Sequence, residues 1–344
     1  MPRRSMTAQS ITVAGAGILG LWQALTLARA GHRVRLVEAS AEPFAAGASQ
    51  HAGAMLAPDC EAEAAPPIVR ELGRDGLALW RAAYPKLVNE GTLVVAAARD
   101  RSELTRFAKM TSGHRTLAGD ELARREPDLA GRFADALYFP DEAHMAAPEA
   151  LAFLLGAVSM AGVDVAFGKP WRGDIGDGIF IDCRGLAARG ELPELRGVRG
   201  ERILIRSREV RLKRPVRLLH PRHPLYVVPW GGGRYLVGAT MIESEDTGPV
   251  TVRSALELLG AVFTLHPAFG EAEIIETGAG VRPAFPDNVP RAIVRENGRR
   301  ILVNGAFRHG YLLAPVLAKA VAEFIASGEE HALVGTERAA GRIS

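Results

Sequence analysis

The chain has 344 residues, of which 48% are hydrophobic and 24% are charged, and its formal net charge is +3. This length is enough for two domains with a substantial core, and the composition excludes a disordered chain. The small net charge does not favour nucleic acid binding, and the two cysteines, Cys60 and Cys183, have no metal-ligand spacing, so we expect no metal site and a reduced, cytoplasmic environment.

The first thirty residues combine a basic start with an apolar stretch, a pattern that secretory signals share. Three glycines interrupt this stretch and no clean cleavage site follows it, so a strand, a turn and a helix explain it better. No segment offers about 18 uninterrupted apolar residues, so no membrane span is predicted.

A nucleotide-binding βαβ unit is predicted next. A short apolar strand leads into the glycine-rich turn G-x-G-x-x-G at residues 15–20, and a helical stretch then leads into a second apolar strand that ends at Glu38. A glycine-rich turn alone is weak evidence, because such turns are common. Here it follows a strand, opens a helix and meets an acid at the end of the next strand, so the context favours a bound dinucleotide over an empty βαβ unit.

Each residue of this unit has a predicted physical task. Gly15 permits the tight turn, Gly17 lets a pyrophosphate approach the helix N-terminus, and Gly20 lets helix and strand pack closely. Glu38 would accept hydrogen bonds from the adenosine ribose hydroxyls, which disfavours NADP.

The segment "GASQHAGAMLAP" (47–58) favours FAD over NAD. Its small residues let backbone amides come close to a flat or anionic ligand. A nicotinamide enzyme has no obvious need for such a segment directly after the second strand.

The remaining elements are mixed at first, strand-rich from residue 200 to 240, and helical again afterwards. A basic run at 208–223 is interpreted as a charged sheet edge rather than a partner site. The predicted elements are a helix at 66–86 with Val69, Leu72, Leu77 and Trp80 in the core, a strand at 91–98, a helix at 101–110 capped by Ser102, a helix at 148–162, strands at 163–168 and 178–185, four strands between 201 and 240 with a hairpin turn at Gly231 to Gly233, and a helix at 251–265 with Val252, Leu256, Leu259 and Phe263 on one face.

Six stretches, in order from about residue 11 to 320, resemble the D-amino-acid-oxidase-like (DAO) flavoproteins, most closely the bacterial glycine oxidases of the thiamine-pathway (ThiO) type. They are "VAGAGILG", "GASQHAGAMLAPDCE", "YFPDEAHMAAPEAL", "YVVPWGGGRYLVGAT", "GAGVRPAFPDN" and "NGAFRHGYLLAP". The resemblance implies an α/β fold with a Rossmann-like FAD-binding domain and an inserted mixed β-sheet substrate domain, as in the glutathione-reductase-2-like folds. The expected division is 11–80, 145–195 and 276–330 for the FAD-binding domain, and 81–144 and 196–275 for the substrate domain.

The resemblance also implies the reaction, which is the FAD-dependent oxidative deamination of glycine or another small amino acid in thiamine biosynthesis. A hydride passes from Cα to flavin N5 and O2 reoxidises the flavin, giving imine or glyoxylate, ammonia and H2O2. No catalytic side chain is predicted, because the protein need only hold the carboxylate and align the Cα–H bond with the flavin. A homo-oligomer is expected from the family.

Arg282 is the residue predicted to bind the substrate carboxylate. It stands before Pro283 at the end of a glycine-rich strand, and a guanidinium binds a carboxylate through two parallel hydrogen bonds. The family has a carboxylate-binding arginine in a similar motif, although a structural salt bridge is the alternative. Tyr226 matches an active-site tyrosine that would share the carboxylate, unless it is an ordinary half-buried strand residue. Met241 and Arg308 match residues of the substrate pocket and its mouth.

The stretch "GAFRHGYLLAP" resembles the segment that passes the isoalloxazine ring and enters the final helix. Gly310 would allow close approach, and the amides of residues 309–312 would face the flavin edge where negative charge collects on reduction. Arg308 would serve an anion or be a surface charge, and His309 is expected to pack or line the flavin rather than act as an acid or base. Trp171 falls where the family contacts adenine through its backbone. The predicted cofactor-binding residues are Gly15, Ala16, Gly17, Ile18, Gly20, Glu38, Ala39, Ala48, Ser49, Gly53, Ala54, Met55, Trp171, Arg308, His309, Gly310, Tyr311 and Leu312.

Three departures from the family pattern leave other functions open. Arg184 replaces a small residue near the dinucleotide and must turn outward or touch the pyrophosphate, residues 168–178 form a shortened connection, and Trp230 replaces a common arginine. The alternatives are a D-amino-acid dehydrogenase that passes electrons to a quinone or carrier, and a flavin-binding protein without turnover.

Overall fold

The computed structural model describes residues 8–45, 47–173, 177–220 and 224–337. The chain packs into two compact units, each made of separate segments. Unit 1 comprises residues 1–50, 148–197 and 282–344, and unit 2 comprises residues 51–147 and 198–281.

Helices and strands both occur throughout the described chain. The helices are α1 (Ile18–Arg29), α2 (Pro58–Glu61), α3 (Pro67–Ala83), α4 (Arg101–Met110), α5 (Gly119–Arg125), α6 (Ala147–Met160), α7 (Val252–Leu265) and α8 (Gly310–Ser327). The strands are β1 (Ser10–Ala14), β2 (Arg33–Val37), β3 (Met55–Leu56), β4 (Thr92–Ala96), β5 (Arg115–Ala118), β6 (Asp135–Phe139), β7 (Ala143–His144), β8 (Asp164–Ala166), β9 (Ile179–Asp182), β10 (Arg196–Arg206), β11 (Val216–Leu219), β12 (Leu225–Pro229), β13 (Arg234–Gly238), β14 (Glu273–Ala284), β15 (Arg291–Arg295), β16 (Arg300–Asn304) and β17 (Val334–Thr336).

Unit 1 is built on a seven-stranded sheet in the order β17-β15-β16-β9-β1-β2-β8. Five neighbouring strands run parallel, namely β16, β9, β1, β2 and β8, whereas β15 is antiparallel to β16. Parallel strands place their carboxyl ends at one edge of a sheet, which is where such folds bind ligands. The glycine-rich turn follows β1, Glu38 follows β2 and Cys183 follows β9, so all three lie at this edge. The predicted Rossmann-like architecture is confirmed.

Unit 2 contains an eight-stranded sheet in the order β14-β10-β13-β12-β11-β4-β6-β5. One face packs into an apolar core with α7, and that core takes alternate strand residues such as Ile203, Val227 and Val237. Because side chains alternate along a strand, the residues between them occupy the opposite face. We call this opposite face the Tyr226 face, since Tyr226 lies on it.

The boundary after the nucleotide-binding segment differs from the expected one. The expected changeover followed residue 80, whereas the packing places it after Gln50. The reason is long-range pairing, because β3 pairs with β7 and the Cys60 N–H donates to the buried carboxylate of Glu142 at 2.7 Å.

Two local expectations of the sequence are corrected. Ser102 does not cap α4, since Asp100 occupies the N-cap position and no side chain makes a capping hydrogen bond there. The helix α7 forms as predicted, but Leu258, Val262 and Leu265 are its buried residues. The face that carries Val252, Leu256 and Phe263 is exposed. The hairpin turn at residues 231–233 is confirmed, with a positive φ at each glycine.

The basic run is less solvated than expected. Its described part ends at residue 220, and residues 221–223 lie outside the described chain, as do residues 174–176 of the shortened connection. Within the described part, Arg214 is only 3% exposed, and its Nε donates to the buried carboxylate of Glu126 at 2.9 Å. This arginine holds the fold together instead of facing solvent.

Within the described chain, α8 is the one helix long and apolar enough to cross a membrane, with a mean hydropathy of 1.4. It is 61% buried and packs against α1. Burial of this kind is typical of a core helix in a globular domain.

Candidate functional site

The glycine-rich turn of unit 1 leaves no room for side chains. Gly15 has φ +100°, and a Cβ there would lie 2.6 Å from the carbonyl oxygen of Cys183. A Cβ on Gly20 would lie 1.8 Å from the carbonyl oxygen of Gly15. Real Cβ atoms do not approach backbone so closely, so both positions require glycine for the tight turn and close packing.

The N-terminus of α1 is arranged to receive an anion. Gly17 is the N-cap and has no side chain to cap the helix, and the first turn contains no acidic residue. The Ile18 N–H donates to the hydroxyl of Ser49 at 3.1 Å, which ties the predicted 47–58 segment to the turn. Unpaired amides and the helix dipole favour negative charge at such an end.

Glu38 lies where a ribose-binding acid is expected. Its Oε2 accepts a hydrogen bond from the Ala16 N–H at 2.7 Å, and its Oε1 accepts one from the Ser40 N–H at 3.0 Å. Each carboxylate oxygen can accept more than one hydrogen bond, so the ribose hydroxyls would find acceptors here. Ala39 follows on the exposed side of the chain. The glycine positions, the open helix end and this acid together fit a dinucleotide such as FAD.

Arg184 turns away from the dinucleotide turn and pairs with Asp182. Its Nε and NH2 donate to the two carboxylate oxygens at 3.0 and 2.6 Å, and these hydrogen bonds raise the pKa of the guanidinium. Its Cζ also lies 5.1 Å from the ring centroid of Trp171. Trp171 stacks on Phe180 with 3.8 Å between ring centroids. The ring of Trp171 therefore packs within unit 1, and its backbone contact to adenine stays a prediction.

The segment before α8 forms a second open helix end in unit 1. His309 occupies the N-cap position, its side chain does not cap the backbone of the first turn, and that turn has no acidic residue. The Tyr311 hydroxyl donates to the carbonyl oxygen of Ser49 at 3.0 Å, so the start of α8 and the 47–50 segment are joined. His309 is 3% exposed, which fits the packing role, and Arg308 is half-buried. Gly310 and Leu312 are buried in the first turn.

The predicted flavin-contacting loop continues into unit 2. Gly53 is buried, and a Cβ there would lie 2.8 Å from Cε2 of Tyr226. Ala54 has φ +50°, and its carbonyl oxygen accepts from the Met145 N–H at 3.2 Å. Met55 pairs with His144 between β3 and β7. Ala48 and Ser49 belong to unit 1, whereas Gly53, Ala54 and Met55 belong to unit 2.

Tyr226 lies on the sheet, as predicted. It is half-buried on β12 and stands opposite Gly238 on β13. A Cβ on Gly238 would be 3.3 Å from the Tyr226 hydroxyl, so the ring lies across a glycine. This position places the phenol ring over the sheet, and its role in substrate binding stays a prediction.

Arg202 is a buried charge near Tyr226 in sequence-distant contacts that the sequence analysis did not single out. It lies on β10 in the Tyr226 face and is 3% exposed. Its NH2 lies 2.6 Å from Glu276 Oε1 and 3.2 Å from His51 Nδ1. Burial, together with the nearby Arg202 charge, lowers the pKa of His51 to about 4. A Cβ on Gly278 would lie 2.8 Å from Arg202 Nε, so this glycine makes room for the cation. The only signal in the sequence is a charge within the apolar strand "RILIR".

The remaining predicted residues lie at element ends. Arg282 is half-buried near the end of β14, and the carbonyl oxygen of the following Pro283 accepts from the Phe307 N–H at 2.8 Å. Met241 is 59% exposed just after β13. Trp230, which replaces a common arginine, is buried at the end of β12. No cluster of His, Cys, Asp or Glu suited to a metal occurs in the part of the chain that the structure describes.

Comparison with known proteins agrees with this geometry. The sequence model of the DAO family, described as FAD dependent oxidoreductase, matches residues 10–324. A ThiO-type thiamine biosynthesis oxidoreductase of Rhizobium etli is 52% identical over 313 residues, which cover 91% of this chain and 95% of that protein. A glycine oxidase of Geobacillus kaustophilus is 26% identical over 92% of both chains. The crystal structure of glycine oxidase from Bacillus cereus superposes with a TM-score of 0.79 at 24% identity, covering 94% of this chain and 96% of that one, and it shares the fold.

Proposed function

Because the chain belongs to the DAO family of FAD-dependent oxidoreductases, we propose that it oxidises glycine or another small amino acid and serves thiamine biosynthesis. The observation that carries the proposal is the 52% identity to the Rhizobium etli ThiO protein across 91% of the chain. When bound, FAD supplies a hydride acceptor for the substrate Cα–H and reacts with O2, so that the products are imine or glyoxylate, ammonia and H2O2.

Unit 1 would hold the adenosine and pyrophosphate parts of FAD. The amides at the start of α1, beside Gly17, would bind the pyrophosphate, and Glu38 would bind the ribose. The amides of residues 309–312 at the start of α8 would stabilise negative charge on the flavin, since a helix N-terminus favours an anion. The absence of an acidic residue from both first turns supports this assignment.

The substrate is bound by a small set of side chains. Arg282 would bind its carboxylate through a fork of two hydrogen bonds, a geometry that lysine cannot reproduce. The Tyr226 hydroxyl would donate a further hydrogen bond. Arg308 and Met241 are proposed at the mouth and the wall of the substrate pocket. None of these residues needs to accept a proton if the amine binds in its neutral form.

A panel of small amines tests the function directly. The purified protein is expected to be yellow, to be bleached by glycine without O2, and to consume O2 and release H2O2 when air is admitted. Bleaching by an amino acid with reoxidation by a dye but not by O2 would point to a dehydrogenase. A protein that neither carries FAD nor takes it up would refute the proposal.

We also propose a cytoplasmic homo-oligomer. Both cysteines are free and buried, which suits a reducing compartment. Light scattering of the purified protein would measure its mass, and a value of 36.8 kDa would show a monomer instead.

A further inference from the structure

The chain makes a tight turn directly after β9, and one side chain holds that turn closed. Asp182 is fully buried, and its Oδ1 accepts the backbone N–H of Arg184 at 3.0 Å. The same carboxylate accepts the Nε and NH2 of Arg184 at 3.0 and 2.6 Å. Charge-assisted hydrogen bonds to a buried carboxylate are among the stronger ones in proteins, so residues 182–184 form a rigid hook.

This hook touches the glycine-rich turn through its backbone. The Cys183 N–H donates to the carbonyl oxygen of Ala14 at 2.8 Å. The Cys183 carbonyl oxygen lies 2.6 Å, and the Arg184 nitrogen 3.1 Å, from the Cβ position of Gly15. On the far side, Asn304 Nδ2 donates to the carbonyl oxygen of Gly185 at 2.9 Å. The backbone of Cys183 and Arg184 is therefore the surface against which the first glycine of the turn packs, and Asn304 holds the residue that follows.

The guanidinium is itself held by a cluster that covers this part of the sheet. It lies over Trp171, which stacks on the buried ring of Phe180. Arg300 approaches the same Trp171 ring, with its Cζ 5.2 Å from the centroid, but it lies on β16 and pairs with Glu191. Arg184 and Arg300 thus share a ring and an acidic neighbour, since Arg184 NH2 also lies 3.6 Å from Glu191 Oε1, while only Arg184 belongs to the hook.

We propose that Arg184 is a positioning residue for FAD, because it holds the 183–185 backbone against Gly15 and so sets the pyrophosphate turn. The residue that departs from the family pattern would then strengthen cofactor binding instead of weakening it. Without the fork, the Asp182 carboxylate would keep the hydrogen bond from the Arg184 backbone N–H but lose charge-assisted hydrogen bonds in a buried position, and the hook would rearrange to satisfy its oxygens. The glycine-rich turn would lose its packing against the backbone of Cys183 and Arg184, and the amides at the start of α1 would no longer be aligned for a pyrophosphate.

Arg184→Lys tests the proposal, with Arg300→Lys as the matched control. Both changes keep the charge beside Trp171, but only the first removes the fork from the hook. Apoprotein is titrated with FAD by flavin fluorescence, and the thermal midpoint is measured with and without FAD. We expect Arg184→Lys to raise the Kd for FAD about tenfold, as for loss of one charge-assisted hydrogen bond, and to shrink the rise in midpoint that FAD causes. Arg300→Lys is expected to change neither quantity.

An unchanged Kd and an unchanged rise in midpoint for Arg184→Lys would overturn the proposal, and so would equal losses in both variants. If Arg184→Lys does not fold, the double variant Asp182→Asn/Arg184→Gln replaces it, with the same expected loss. The inference rests on the proposed FAD site but not on the amine substrate. Wild-type protein that fails to bind FAD would defeat the proposed function, whereas normal wild-type binding with an unaffected variant defeats only the role of Arg184.

Discussion

The glycine-rich turn of unit 1 and the Tyr226 face of unit 2 each contain a glycine with no space for a Cβ, but different atoms fill that space. In the turn, a Cβ on Gly20 would meet the carbonyl oxygen of Gly15 at 1.8 Å. On the Tyr226 face, a Cβ on Gly53 would meet the ring of Tyr226 at 2.8 Å. A backbone carbonyl cannot move without breaking β1 and its neighbours, whereas a ring can turn. Substitutions in the turn should therefore abolish FAD binding. Substitutions on the Tyr226 face should reduce activity only in part.

Gly20→Ala is expected to have the largest effect. The added methyl group would overlap the backbone of the turn, so the start of α1 would have to move and the pyrophosphate site would be lost. We expect protein without FAD, measured as the ratio of flavin to protein absorbance after purification.

Gly156→Ala is the matched control, because Gly156 is also a helical glycine but has nothing within 4 Å of its Cβ position. Alanine there should raise the free energy of unfolding by roughly 0.5–1 kcal/mol and leave the FAD content unchanged. A fully yellow Gly20→Ala protein would show that the turn is not rigid.

Arg282→Ala is the second prediction, and it separates substrate binding from cofactor binding. We expect the variant to keep its FAD. Its kcat/KM for glycine should fall by an amount that corresponds to about 2–5 kcal/mol of transition-state free energy, which is typical of removing one partner of a desolvated charge pair. Steady-state H2O2 release measures the loss, and flavin absorbance checks the cofactor.

Arg35→Ala serves as the control, since Arg35 forms an exposed ion pair with Asp164 in the same unit. Exposed pairs contribute little, so its kcat/KM should match the wild type. Normal turnover by Arg282→Ala would remove the carboxylate assignment.

The comparison also explains which parts of the site could be predicted from the sequence. The glycine-rich turn and Glu38 could be predicted because they lie close together in the sequence. The spacing of three glycines and one acid within 24 residues indicates a dinucleotide site. The contact between Arg202 and His51 joins residues 151 positions apart, and no periodicity predicts it. The changeover after Gln50 was missed for the same reason, because β3 finds its partner β7 far along the chain.

A second limit comes from helices that carry more than one apolar row. In α7, both Val252–Leu256–Phe263 and Leu258–Val262–Leu265 form apolar rows, so periodicity predicts the helix but not its buried side. The sheet decides, because only the second row packs into the core that Ile203 and Val237 share. Tertiary packing therefore determines which side of α7 is buried, and the sequence of the helix alone does not predict it.

Glu142 provides a third prediction, which tests charge instead of steric fit in unit 2. Burial raises the pKa of this carboxyl to about 7, although the hydrogen bond from the Cys60 N–H opposes the rise. Because the folded pKa lies above the unfolded one, the neutral acid stabilises the fold fully below pH 4.5, and this stability is lost as the pH rises through about 7. We expect the free energy of unfolding to fall on the order of 1–3 kcal/mol from pH 5 to 8 through this group.

Urea unfolding of Glu142→Gln at several pH values measures this contribution. The variant should show a flatter pH dependence than the wild type, because glutamine cannot ionise. Glu71→Gln, on the exposed side of α3, should keep the wild-type slope. Equal slopes for Glu142→Gln and the wild type would mean that Glu142 titrates at its ordinary pKa.

The smallest effect is expected on the Tyr226 face. Tyr226→Phe removes only a hydroxyl and leaves the ring over Gly238, so kcat/KM for glycine should fall by about 0.5–1.5 kcal/mol, the net value of one hydrogen bond. Gly53→Ala pushes the same ring aside, and because a ring can turn, it should give a loss of similar size with FAD retained. Steady-state kinetics of both variants and their double variant measure whether the two losses overlap. Fully additive losses would show that Gly53 does not act through Tyr226, and loss of FAD from Gly53→Ala would show that this loop is as intolerant as the glycine-rich turn.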